Sequence, residues 1–563
     1  MKEKKLFFIL VAIYFCHMNL NLSGQNNTSV NENIILLTDR DLYISNEKIW
    51  FNAYCMMNNK FTQETFSKVM YFELFNSEKN SVVKKKVKII NGRSSSYIEI
   101  PADIETGSYN LTAYTQYMKN FINIETNTIS LIIINPDIKG ETKLTDSENS
   151  ENNESKKLNK LVINPDKRSY YTREKVIVSI SDKTIPETLK YITVSVNKKG
   201  SLNNTQISNL NFDGKPKDID IQNIKHYPEI RDLTISGTLK DKNSGEILPE
   251  EKLYLSVISG YSQFDITKTD TNGKFIFTLN SLYNDQDILI STDNKEQDIE
   301  IITDNSFINN INNFKAPNYH LDSSKIELIN EMYLNSQLTN YFPDKSELLK
   351  TNSDTTVNFF GPAEISINID DFIKLPTLHE VFDEIVPSVN VRKKKEDYYF
   401  QVYNMKNNRF FKDPLVFYDQ FLILNINNLL KVKPKYINKI DIINREYIIG
   451  NYIFNGIIFI ESKTGKIPGI DLPKNSIITN FQTIHESTEI NFPVYEDSNR
   501  INSKLPDFRN LLYWNSNAAL KDNLKLEFYT SDHSSEYDII VRGITESGEL
   551  FYGKTTLLVR KRD

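Results

Sequence analysis

Apolar and polar residues alternate through much of this chain, and a period of two commits it to sheets. Ile49, Phe51, Ala53 and Cys55 share one side of a stretch whose other side is Trp50, Asn52 and Tyr54. Met70, Phe72 and Leu74 repeat the pattern, then Tyr109, Leu111 and Ala113, then Val176, Val178 and Ile180. Ile192, Val194 and Val196, then Leu524, Leu526 and Phe528, then Tyr537, Ile539 and Val541 carry it to the C-terminus. Successive side chains of a strand point to opposite faces, so each stretch has one face to bury. Phe (32) and Tyr (30) are abundant, as suits pleated surfaces. Gly is scarce at 18 of 563, so Asn, Asp and Ser must make most turns. The expected class is mainly β, as tandem β-sandwich domains with one small α+β domain.

Residues 1–24 read as a secretory signal. Lys2, Lys4 and Lys5 precede an apolar run from Leu6 to Phe15, and Asn21-Leu22-Ser23-Gly24 leads to cleavage between Gly24 and Gln25. The run is too short to span a bilayer, which takes about 20 apolar residues. Lipidation at Cys16 is the lesser alternative, because Phe15 stands where a small residue normally precedes a lipid-modified cysteine. Cleavage leaves Cys55 as the only mature cysteine, with no internal disulfide and a buried apolar role. The net charge of −6 argues against nucleic acid as a partner. An exported, water-soluble protein is expected, with membrane association at most peripheral.

Residues 31–135 hold about seven strand patterns separated by turns, as in a β-sandwich, with Asn91-Gly92 as a hairpin signal. "TDRDLYISNEKIWFNAYC" and "GSYNLTAYTQYMKNF" resemble the macroglobulin-type (MG2-like) domains of exported Bacteroidetes proteins. The thioester by which larger macroglobulins trap proteases has no counterpart motif here. Residues 136–160 are polar and Ser/Asn/Glu-rich, a linker. Residues 161–228 restart the alternation as a second macroglobulin- or immunoglobulin-like sandwich with an insertion through 200–228. In residues 230–303, "LTISGTLKDKNSGEILPEEKLYLSVISG" and "ITKTDTNGKFIFTL" resemble the carboxypeptidase regulatory-like domain, a sandwich without catalytic residues. Asp270, Asn272 and Gly273 read there as a hairpin turn, because Ser281 stands where a calcium loop needs an acid. Residues 320–350 keep a helical period through Ile326, Ile329, Met332, Leu334 and Leu338, a connecting helix.

Residues 365–465 change class. A helix is expected over Thr377 to Ile385, followed by strand, short helix, strand, strand. Pro414-Leu415-Val416 before Asp419, "INKIDII" and "GIIFIESK" resemble the plug domain of TonB-dependent outer-membrane receptors. Gln420 departs from the Gly usual after that Asp, so the turn must differ. Residues 466–563 return to alternation as a C-terminal sandwich, with Glu546-Ser547-Gly548 as a hairpin turn.

Motifs for chemistry are sparse. The chain carries no G-x-x-x-x-G-K-[ST], G-x-G-x-x-G or G-x-S-x-G string. His379-Glu380 and His485-Glu486 begin the zinc-protease string H-E-x-x-H, but Asp383 and Glu489 end it. The other histidines, His17, His226, His320 and His533, are scattered, so no metal, cofactor or catalytic residues are assigned. Lys84-Lys85-Lys86 and Arg392-Lys393-Lys394-Lys395 read as solvated faces or as protection of edge strands, and no small-molecule substrate is identified.

A receptor barrel would need several hundred residues after the plug-like segment, and only about 98 follow residue 465. The expectation is therefore a non-enzymatic binding or scaffold component associated with an outer-membrane barrel or envelope complex, in the periplasm or at the surface of a Gram-negative cell. The alternatives are a surface adhesin for glycan or protein and an unrecognised hydrolase.

Overall fold

The computed structural model describes residues 31–562 apart from 59, 121–126, 139–143, 146–158, 182–188, 203–223, 259–261, 281–284, 295, 309–320, 323–324, 343–357, 466–471, 486–487, 519–523 and 546–548. Gly24, Gln25, Cys16, His320, the 546–548 turn and most of the 136–160 linker lie outside the described residues. The chain is mainly β and built of tandem sandwiches. No described helix is long and apolar enough to cross a membrane.

In the first sandwich, strands Glu32–Thr38, Lys48–Met57 and Arg93–Glu99 pair with Lys48–Met57 in the middle. The facing sheet runs Leu42–Ile44, Thr128–Ile134, Gly107–Tyr114, Val69–Phe75, Ser81–Lys88, and Ile484–His485 from far downstream closes its edge. Alternation aims Phe51, Ala53 and Cys55 inward, where Phe51 stacks on Phe72 with ring centres 4.1 Å apart.

Two turns differ from expectation in the same way. Asn91 and Gly92 take φ of 51° and 76° and reverse the chain, yet their arms lie in opposite sheets and share a single Ile90–Arg93 bridge. A Cβ on Gly92 would lie 2.3 Å from the Thr62 carbonyl oxygen. At Asp270–Gly273, strands Phe264–Lys268 and Lys274–Leu279 also belong to facing sheets. Both arms bury an apolar face in the same core, and that burial outweighs a ladder between them. Lys86 is a further correction: it is buried, with Nζ 3.9 Å from the Phe481 ring centre and donating to Ser306 at 3.2 Å, because residues 481–485 cover the edge it was expected to protect.

The second sandwich is discontinuous. Val162–Pro165, Lys175–Ser181 and Leu524–Tyr529 form one sheet. Ser169–Tyr171, Leu550–Arg560, Glu536–Thr545, Leu189–Lys198 and Leu511–Ala518 form the other. Apart from the short strands Lys60–Phe61 and Ile484–His485 in the first sandwich and Asn159–Lys160 in the second, this is the pairing scheme of the first sandwich. The expected separate sandwiches at 161–228 and 466–563 are thus two parts of one, and its insertion runs from Lys199 to Asn510 rather than through 200–228. Neither part alone closes two sheets over a core, whereas together they enclose Val176, Val178, Val194, Leu512, Phe528 and Val541.

The insertion holds a third sandwich and an α/β unit. Lys274–Leu279, Leu233–Asp241 and Ile299–Thr303 face a sheet of Phe264–Lys268, Lys252–Val257, Gln286–Thr292 and Ser476–Phe481. In the α/β unit, Ile365–Asn368, Ile437–Ile443, Ile457–Ser462, Leu415–Tyr418 and Phe421–Leu422 form a mixed sheet, and Val389–Lys394, Asp397–Asn404 and Arg409–Lys412 a smaller antiparallel one. Helix Leu378–Glu384 starts on Thr377, whose hydroxyl accepts from the Glu380 amide at 3.3 Å. Ahead of Gln420, Asp419 itself supplies the left-handed turn (φ 53°) and accepts from the Ser462 amide at 2.7 Å. Helix Ile326–Tyr341 packs Ile329 and Met332 on Leu42, Ile44 and Ile134 of the first sandwich.

Candidate functional site

The site grows from a turn that occurs twice. In the first sandwich Asp39 Oδ1 accepts from the Tyr43 hydroxyl at 2.7 Å and the Trp50 amide at 2.9 Å. Glu47 accepts from the Ile44 amide at 2.8 Å and pairs with Arg40 at 2.8 Å. In the second, Asp166 accepts from Tyr170 at 2.7 Å and Ile177 at 2.9 Å, while Glu174 accepts from the Tyr171 amide and pairs with Lys167. Asn46 and Arg173 take the same left-handed position, φ 66° and 56°. The spacing D-x3-Y-x3-E was visible in the sequence at both places and was the signal that could have identified the duplication.

The two copies differ in what covers them. Asp166 is exposed, but Asp39 is buried because the second sandwich sits on its turn. Asn197 donates to the Asp39 carbonyl and Arg542 to the Thr38 carbonyl, both at 2.6 Å, and Asn510 donates to Glu47 at 2.8 Å. Nearby, Asn52 donates to the Ser516 carbonyl at 2.9 Å and to Thr193 at 3.1 Å. Burial pushes the Asp39 carboxyl up to about 6, against the pull of Arg40. Burial works to lower the Arg40 guanidinium, but Glu47 and Asp39 outweigh it and hold it above its ordinary value. Burial pushes Arg542 down to about 10.

Beside this junction lies a cleft of about 150 Å³ between the turn, the end of helix Ile326–Tyr341 and residues 490–511. Trp50, Ile490, Phe492 and Leu511 give it apolar walls, with Lys48 and Arg509 adding cations. Thr339 and Arg509 also line a second groove of about 260 Å³, walled by Phe342, Val494, Tyr495, Leu505 and Phe508. Aromatic walls with fixed cations suit capture of side chains from a polypeptide. Neither space is lined by a histidine or a cysteine.

The histidines stay apart. His379 is on the surface, 3.0 Å from Asp383 one helical turn on. Burial pushes His226 and His485 down to about 4. His533 Nε2 lies 2.8 Å from Lys198 Nζ, and Lys198 also pairs with Glu331, which ties the helix to the second sandwich. Burial, then the Lys198 charge, lowers His533. Among the described residues no group of three or more His, Cys, Asp or Glu could hold a metal ion. Cys55 is buried, and burial raises its thiol well above the ordinary range. Native protein is therefore expected to leave Cys55 unlabelled by iodoacetamide at pH 8, with labelling appearing only on denaturation, as read by peptide mapping. Rapid labelling of the native protein would contradict the packing around that strand.

Fold and site define a multi-sandwich β protein whose modules meet through buried polar junctions. No protein family and no curated protein matches the chain. Among solved structures it is similar to Salmonella α2-macroglobulin reacted with methylamine (9% identity, TM-score 0.24, covering 94% of this chain and 39% of that one). It is similar to native Escherichia coli α2-macroglobulin (8%, 0.24, 95% and 40%) and to dimeric latent PorU of Porphyromonas gingivalis (8%, 0.14, 94% and 34%). The chain spans less than half the length of each, and similarity this weak says nothing of activity.

Proposed function

We propose that the chain is a non-enzymatic binding scaffold, exported to the envelope of a Gram-negative cell and associated there with an outer-membrane complex of the TonB-dependent receptor kind. The observation that carries this reading is the way the modules are fastened. Buried polar contacts join the first sandwich to the second through Asn52, Asn197 and Arg542, and to the third through Tyr71, which donates to Glu229 at 3.0 Å. An aromatic cluster joins the third sandwich to the α/β unit, with Phe264 and Phe417 ring centres 5.1 Å apart. Such a frame presents its surfaces in fixed relation, as a scaffold must. Strand Ser476–Phe481 pairs on one side only among the described residues and exposes Ile478, an edge suited to a partner's strand. Export rests on the signal read in residues 1–24, and the partner class on the plug-like strings, which fall on adjacent strands of one mixed sheet.

The test is mild detergent extraction of membranes followed by crosslinking mass spectrometry. Crosslinks from Lys474 to an outer-membrane barrel protein are expected. Recovery of the whole chain in the soluble fraction, without barrel crosslinks, would sink the proposal.

A further inference from the structure

Among the described residues, the small antiparallel sheet of the α/β unit buries one face and leaves the other partly exposed. Val389, Phe400, Val402 and Phe411 turn inward, and Phe400 meets Phe382 of the neighbouring helix with ring centres 4.5 Å apart. Strand alternation and register place Asn390, Arg392 and Lys394, then Tyr399, Gln401 and Tyr403, then Phe410 and Lys412 together on the outer face. Arg392 stands opposite Tyr399, and Tyr403 opposite Phe410, whose rings are 5.1 Å apart. Tyr399, Gln401 and Tyr403 recur about 6.7 Å apart along the central strand. Phe410 is 44% exposed, Lys394 and Lys412 are exposed, and the tyrosines are partly so.

This patch is charged against the trend of the molecule. Residues 389–435 carry ten Lys or Arg and four Asp or Glu, in a chain of net charge −6. Among the described residues no carboxylate lies within 4.0 Å of Arg392, Lys394 or Lys412, whereas Asp397 at the end of the face is held by Asn427 at 3.0 Å. The cations are thus available for a ligand's negative groups. Neither outer strand pairs further among the described residues, and both carry cations, which discourages addition of another strand. Recognition therefore falls to the face and not the edge.

We propose that this face binds an anionic sugar chain. Pyranose rings lie on Tyr399, Tyr403 and Phe410, hydroxyls bond to the Asn390 and Gln401 amides, and carboxylate groups pair with Arg392, Lys394 and Lys412. Rings with cations could equally stack nucleic-acid bases, but the signal in residues 1–24 directs the chain away from nucleic acid, and the two amides between the rings match a polyol. The proposal goes beyond the scaffold reading: it rests on the export in that reading and not on its partner.

The experiment is affinity electrophoresis of the full chain through gels containing polygalacturonate, neutral dextran or neither, with oligo(dT) as a soluble competitor. Polygalacturonate is expected to retard the protein and dextran to leave it unchanged. The double variant Tyr399→Ala, Tyr403→Ala should weaken retardation at least about ten-fold at unchanged thermal midpoint, and Arg392→Glu with Lys394→Glu should abolish it, because opposed charges become like charges. Three results would overturn the proposal: no retardation by polygalacturonate, retardation that ignores the ring substitutions, or oligo(dT) competing at lower concentration than free polygalacturonate.

Discussion

Arg40→Ala is expected to lower the thermal midpoint by on the order of 10 °C, because it strands two acids rather than removing one contact. Arg40 is buried between Glu47 at 2.8 Å and Asp39 at 3.8 Å, and its ring neighbour Tyr43 lies 4.7 Å from the guanidinium. Breaking a buried pair by deleting one partner costs about 3–5 kcal/mol, more than the pair contributes when intact. The pH dependence has a definite sign. Asp39 has a folded value near 6 against an ordinary 3.8, so its protonation stabilises the fold fully below about 3.8 and that stabilisation is lost as pH rises through 6. Without Arg40 the folded value rises further, so the deficit of the variant should shrink as pH falls from 7 to 5. Adding Asp39→Asn and Glu47→Gln to Arg40→Met should recover part of the loss, since the turn itself then holds no buried charge, while Arg542 beside it stays buried and loses the Asp39 carboxylate. A midpoint within about 1 °C of wild type for Arg40→Ala would show that water reaches this junction and that the sandwiches are not locked there.

What could be read in advance follows from the range over which each signal acts. Alternation is a property of five to ten neighbouring residues, so the strands through Phe51, Leu111, Val178 and Ile539 were legible. Turn chemistry is equally local: Asn91-Gly92 and Asp270–Gly273 are turns, as their residues demand. Whether the arms of a turn pair is settled by which core their apolar faces enter, and nothing within the turn encodes it. The second sandwich shows the same limit at greater length. Strand Leu189–Lys198 finds its neighbours at Leu511–Ala518 and Glu536–Thr545, across the whole insertion, and composition marks no break there. Lys86 misled because a run of three lysines reads as solvated, while the strand at Ile484–His485 that covers it lies some 400 residues away. The cleft was illegible for the same reason, being assembled from Trp50, Thr339 and Phe492. The repeated D-x3-Y-x3-E was legible but goes unnoticed unless the two sandwiches are set side by side, and it is the feature that leads to Arg173.

Arg173 occupies in the second copy the position of Asn46 in the first, and its long side chain does work that Asn46 does not. Its guanidinium takes both oxygens of Asp532 at 2.6 Å and donates to the carbonyls of Arg500, Ile501, Ser503 and Leu505 at 2.7–3.1 Å, with the Tyr495 ring 5.1 Å away. One side chain therefore shapes residues 495–507, the outer wall of the second groove. Hydrogen bonds from a charged donor contribute about 1.5–3 kcal/mol each, and those sharing one donor are not additive. Arg173→Ala is accordingly expected to destabilise the segment by about 3–5 kcal/mol, locally rather than globally. Amide hydrogen exchange over residues 494–509 should accelerate on the order of a hundred-fold or more, while strand Lys175–Ser181 keeps its protection. Two further variants separate the causes. Arg173→Asn tolerates the left-handed backbone but lacks the fork, and should open the segment nearly as far as alanine does. Arg173→Lys keeps the charge but cannot engage Asp532 through two nitrogens, and should fall between. If the asparagine variant exchanged like wild type, the groove wall would be standing on its own packing, and the guanidinium would be a bystander.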